Sequence, residues 1–155
     1  MTKSRKFVVT AAALGVIMVV GGMSSLTPQA AAFFPTKKST VTYTQLYKDL
    51  VAFNTAYAKL WGAAAQAIYP PFTGNYTTYA ATVKTNYSNY ITLWKTINSQ
   101  LPAVWSATSN ATYFAAWDSV VATVNAYVTA AANANLTTAF TNFQTAYATL
   151  KADFL

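Results

Sequence analysis

Residues 43–69 read YTQLYKDLVAFNTAYAKLWGAAAQAIY, and their apolar side chains Tyr43, Leu46, Leu50, Phe53, Tyr57, Leu60, Ala64 and Ala67 recur at alternating steps of three and four. An α-helix turns once every 3.6 residues or about that, so this spacing lines the set up along one stripe. Thr42 or Thr44 stands where a side-chain oxygen can accept the first free backbone N–H groups, and Pro70-Pro71 stops the run. The stretch predicts a helix over 43–69.

The same period governs three later stretches. Tyr76, Tyr79, Val83, Tyr87, Tyr90, Trp94, Ile97 and Leu101, followed by Pro102, predict a helix over 75–100. Phe114, Trp117, Val121, Val124, Val128 and Ala131 predict one over 111–132, and Leu136, Phe140, Phe143, Tyr147, Leu150 and Phe154 one over 135–154. Threonine and tyrosine favour strands by propensity. A half-buried strand alternates every second residue, however, and these stretches keep helical spacing throughout with alanine between the aromatics. Short connections make successive helices antiparallel neighbours. The expected fold is all-α: an antiparallel up-down-up-down four-helix bundle over 43–155, preceded by a linker at 33–42 and an N-terminal hydrophobic export segment.

There is an internal echo. Phe53-Asn-Thr-Ala-Tyr-Ala-Lys-Leu60 and Phe143-Gln-Thr-Ala-Tyr-Ala-Thr-Leu150 agree at six of eight positions. Duplication or one heptad constraint acting on a biased composition would each produce it.

Residues 1–32 have the layout of a signal peptide. Met1–Lys6 is basic, Phe7–Val20 is uncharged and apolar, and Ala30-Ala31-Ala32 offers small residues for a cut before Phe33. The alternative is an uncleaved membrane anchor: residues 7–23 approach the length that spans a bilayer, and Lys3, Arg5 and Lys6 would hold its start in the cytoplasm. Either way the chain is expected to be exported, to a periplasmic, cell-surface or extracellular location, and to be membrane-anchored if residues 1–32 remain.

Composition narrows the function classes. The apolar fraction of 54% and aromatic fraction of 15% specify a folded chain, and charged residues make up only 8%. The net charge of +7 owes three of its ten basic residues to the first six positions. Beyond residue 32 there is no His, Cys, Glu or Arg, and the carboxylates are Asp49, Asp118 and Asp153. General acid–base and nucleophilic catalysis lack their usual groups, so no catalytic residue is expected. Metal sites in bundles draw on Glu and His, so no metal site or cofactor is expected either. Each aspartate flanks a stripe residue and is expected to pair with a lysine across helices. The layout is similar to that of secreted haem-binding four-helix cytochromes, but their histidine ligand has no counterpart here. Scattered lysines without arginine argue against nucleic acid.

What remains is aromatic. In such a bundle the end of the second helix, the following loop and the start of the third share one pole, bringing Trp94, Trp105 and Trp117 together there, with Trp105 in the loop. Phe154 reaches the same pole, which would face the bilayer if the anchor is retained. These four residues are the candidate interface or ligand contacts. Asn75, Asn86, Asn110 and Asn135 begin sequons and are candidate glycosylation sites; helix capping by Asn75, Asn110 and Asn135 is the competing explanation. Eleven tyrosines exceed what one bundle core can bury with their hydroxyls satisfied, which favours contacts between subunits. The expected function is therefore a non-enzymatic exported structural or interaction protein, a repeated subunit or accessory component of an envelope, surface filament or membrane complex. Protein partners or self-association are expected, with membrane contact through residues 7–23. The alternative is a soluble carrier of a small apolar or aromatic ligand.

Overall fold

A computed structural model describes residues 36–155; the expected export segment and the first residues of the expected linker lie outside that range. The described residues are all-helical, with four helices and no strand: α1 Tyr43–Ala67, α2 Tyr76–Trp105, α3 Asn110–Ala131 and α4 Ala134–Ala152. Each begins on a side-chain cap. Thr42 accepts from the Gln45 N–H, Asn75 from Thr77 and Thr78, Ser109 from Thr112 and Asn133 from Leu136. These caps satisfy donors that have no partner within the helix. Of the residues that the sequence offers at the start of α3, Ser109 and not Asn110 is the cap, and at α4 Asn133 caps in place of Asn135.

Side-chain bonds fix how the helices lie. Asn86 Nδ2, in α2, donates to the Ala67 carbonyl that ends α1 at 2.9 Å. Asn110, at the start of α3, donates to the Phe154 carbonyl just past α4 at 3.2 Å, and the Lys38 N–H before α1 donates to the Asp153 carbonyl at 2.7 Å. The tightest neighbours are α1 with α4 and α2 with α3. The α1 stripe from Leu46 to Ala67 and the α4 stripe from Leu136 to Phe154 are buried as expected, whereas Tyr43 is exposed.

The largest departure is α2. Pro102 was expected to end it, and Trp105 to lie in a loop, yet the helix continues to Trp105. Proline forfeits one hydrogen bond and crowds the carbonyl four residues back. The extra turn compensates by burying Val104 completely and packing Leu101 and Trp105 on the core, and Ser106 donates both its N–H and its hydroxyl to the Pro102 carbonyl. The buried line of α2 keeps the expected Ile97, but Leu93 takes the place of Trp94, which faces out, and Val104 extends the line past Pro102.

At the α3–α4 turn Ala132 adopts φ 48°, ψ 39°, a left-handed conformation that crowds its Cβ. Replacing Ala132 with glycine is expected to raise stability by about 0.5–1 kcal/mol. Urea denaturation of the two chains checks this, and a loss of stability would show the turn to be unstrained.

Exposed threonines fold their hydroxyls back on the helices. Along α4, Thr137, Thr141, Thr145 and Thr149 each donate Oγ1 to the carbonyl four residues earlier, at 3.0–3.1 Å.

Candidate interaction surface

The echoed octapeptides of α1 and α4 meet in the middle of the core. Phe53 and Tyr57 are stacked at 6.0 Å, and Phe143 and Tyr147 at 6.2 Å. Across the interface Phe53 meets Phe143 at 5.5 Å and Tyr147 at 6.3 Å, while Tyr57 meets Phe143 at 5.6 Å. Equivalent residues of oppositely directed helices thus form one four-ring square, a local two-fold arrangement. Outside it an open groove of about 770 Å³ runs between the two helices, lined by Ala52, Ala56 and Lys59 and by Ala139, Asn142 and Ala146.

From this square an aromatic series leads to the surface. Trp117 sits edge-on to Phe53 and Tyr57, at 5.6 and 6.1 Å. Tyr57 meets Trp61 at 5.9 Å, and Trp61 meets Tyr90 at 6.3 Å and Trp94 at 5.1 Å. The expected tryptophan group does not form: Trp117 is a core residue, Trp94 is drawn outward by Trp61, and Trp105 packs half-buried at the end of α2. Phe154 is buried and packs on Phe114 at 5.3 Å, closing that pole.

Tyr43 and Tyr47 are exposed at this pole, but the larger group of exposed aromatics lies at the opposite one. Asn86 meets the end of α1, so roughly the first ten residues of α2 reach past it, about 15 Å at helical rise. No residue of α2 before Leu93 is buried. On this projecting half and the loop before it, Phe72 packs edge-on against Tyr79 at 5.1 Å and near Tyr76 at 6.4 Å. Tyr76 is 74% exposed and Tyr69 67%. The spacing of Tyr76, Tyr79 and Val83 predicted a core stripe, because periodicity shows that a face is apolar and not whether anything covers it. The available signal was chemical: the α2 stripe holds only tyrosine and valine until Trp94, and the first Leu, Ile or Phe anywhere on the helix is Ile91.

The four sequon asparagines differ. Asn86 and Asn110 use their amide N–H groups in the bonds just described, so a glycan at either would displace a structural contact. Asn75 engages only its Oδ1, and Asn135 is exposed beside the groove.

The charged groups sort in two ways. Lys151 Nζ lies 2.8 Å from Asp118 Oδ2 across α3 and α4, and Tyr147 donates its hydroxyl to Asp118 Oδ1 at 2.7 Å. Burial works to raise the Asp118 pKa, but the bonds from Lys151 and Tyr147 and the ammonium charge outweigh it and hold it low. Tyr147 is correspondingly raised, first by burial and then by Asp118. Asp49 and Asp153 depart from the expected pairing with lysine. Asp49 and Thr149, one turn before Asp153, line the same end of the groove between α1 and α4, and the Asp49 charge raises the Asp153 pKa.

Among the described residues no group of three His, Cys, Asp or Glu side chains is placed to hold a metal, and no helix is long and apolar enough to cross a membrane. Family models, curated proteins and solved structures all give no match to this chain.

Proposed function

We propose that this chain is a non-enzymatic exported interaction protein, an up-down-up-down four-helix bundle that acts as a repeated subunit or accessory component of an envelope, surface filament or membrane complex. The observation that carries this is the aromatic group around the α1–α2 connection, where Tyr69 and Phe72 of the loop, Tyr76 at the start of α2 and Tyr87 just past Asn86 are all more than half exposed. Exposed aromatics grouped at one place mark contact surfaces more than solvated ones. The low charge of the remaining surface supports the same reading, since it leaves little electrostatic repulsion between copies. The basic and apolar composition of residues 1–32 supports export.

The carrier reading draws less support. The core cavity bounded by Leu60, Trp61, Leu93 and Val124 has a volume of about 10 Å³, room for a single water and not for a ring.

Sedimentation equilibrium over a wide concentration range tests the proposal. The wild-type chain is expected to associate with itself or to bind the membrane fraction of its source, and the double variant Phe72→Ser/Tyr76→Ser to weaken that association about tenfold or more. A strictly monomeric chain carrying a bound small molecule would overturn it.

A further inference from the structure

At the pole where α1 begins and α4 ends, two aspartates have been taken out of water together. Asp49 is 9% exposed and Asp153 7%. Gln45 Nε2 donates to both oxygens of Asp49, at 3.0 and 2.8 Å. Asp49 shares one end of the groove between α1 and α4 with Thr149, one turn before Asp153, and the buried Oδ2 of Asp153 has no partner among the described residues. Two carboxylates in such a site repel when both are ionised, and one shared proton converts the repulsion into an O–H···O bond.

The same aspartate holds the segment that leads into α1. The Lys38 N–H donates to the Asp153 carbonyl at 2.7 Å. Two residues earlier, Thr36 exchanges a pair of bonds with the Asn110 side chain, N–H to Oδ1 at 3.1 Å and carbonyl from Nδ2 at 2.7 Å. The segment is thus seated partly on the α4 end directly, through Lys38, and partly through Asn110, whose amide also bonds the Phe154 carbonyl.

We propose that Asp49 and Asp153 form a proton-operated clasp, which fastens the segment Thr36–Val41 to the helical domain in mild acid and slackens it near neutrality. The charged groups that face the pair are few. Lys38 approaches from the segment itself, and Lys37 is turned onto the Tyr43 ring at 4.6 Å. The one charge of α3, Asp118, is held by Lys151 of α4, and Gln45 and Asn110 are neutral. Burial, then the charge and hydrogen bond of Asp49, raise the Asp153 carboxyl to about 6, with Lys38 opposing in part. A carboxyl whose folded pKa lies above its unfolded value takes up a proton on folding. Its contribution is complete below the ordinary value of 3.8 and disappears as pH rises through about 6.

The test is the folding equilibrium constant of the full chain in urea from about pH 7.5 to about pH 5, together with hydrogen exchange at the Lys38 amide corrected for its intrinsic rate. Wild type is expected to gain up to about tenfold in that constant on acidification, with slower exchange at Lys38. Asp153→Asn, which donates permanently to Asp49, is expected to show the acid behaviour at both pH values. Asp49→Asn, which removes the opposing charge, is expected to flatten the response by a different route and serves if the first variant fails to fold. A flat wild-type profile, or a variant that keeps the full response, would overturn the clasp. So would a pH-dependent stability with unchanged Lys38 exchange.

Discussion

Replacing Trp117 with alanine is expected to lower the stability of the domain by about 3–5 kcal/mol, the range for deleting a buried indole from a packed core. Trp117 is 1% exposed and stands edge-on to both Phe53 and Tyr57, at interplanar angles of 85° and 89°. The loss combines the transfer of the ring, the cavity left behind and two favourable edge contacts. Domains of this size have about 5–15 kcal/mol in all, so the variant should be largely unfolded well below the denaturant midpoint of the parent. Trp117→Phe should retain roughly half of the difference. Urea titration followed by far-ultraviolet circular dichroism reads both. A cost near 1 kcal/mol for the alanine variant would mean that the four-ring square does not depend on its lid.

The second large effect is predicted at Asn110. Its amide makes three bonds, two with Thr36 and one with the Phe154 carbonyl, joining the entry of α1, the start of α3 and the end of α4. A net hydrogen bond contributes about 1 kcal/mol. The Thr36 pair is solvent-exposed, so Asn110→Ala is expected to cost about 2 kcal/mol rather than the full sum. The distinguishing readout is local: cleavage by protease at residues 36–42 should accelerate more than global unfolding does. If cleavage tracks global stability alone, Asn110 does not hold the segment.

Much of the helical pattern could be read from residue spacing. Leu46 to Ala67 and Leu136 to Phe154 are buried as their period requires, because α1 and α4 are covered along their length. Asn75 caps as its residue type suggests. The failures share a cause, the difference between a local rule and tertiary context. Pro102 breaks an isolated helix, but Val104 and Trp105 gain more by packing than the lost bond costs. Tyr76 and Tyr79 keep core spacing on a helix that outruns its neighbours, which no window of one helix can show. Trp94, Trp105 and Trp117 lie in neighbouring stretches of chain, yet the partner of Trp94 is Trp61, in a different helix. The Asp49–Asp153 contact joins residues about a hundred positions apart. Nothing in either local sequence announces it.

The threonine ladder of α4 has a consequence for how the molecule behaves in bulk solution. With each hydroxyl proton given to a carbonyl one turn back, Thr137, Thr141, Thr145 and Thr149 form an exposed row that has no hydroxyl donor left for water. A side chain counted as polar in the composition is thus only an acceptor at the boundary, and less hydrated than a free hydroxyl. Colloidal behaviour should then follow hydration more than Coulomb forces. Sulfate should salt the protein out early, while moderate sodium chloride should leave its solubility nearly unchanged.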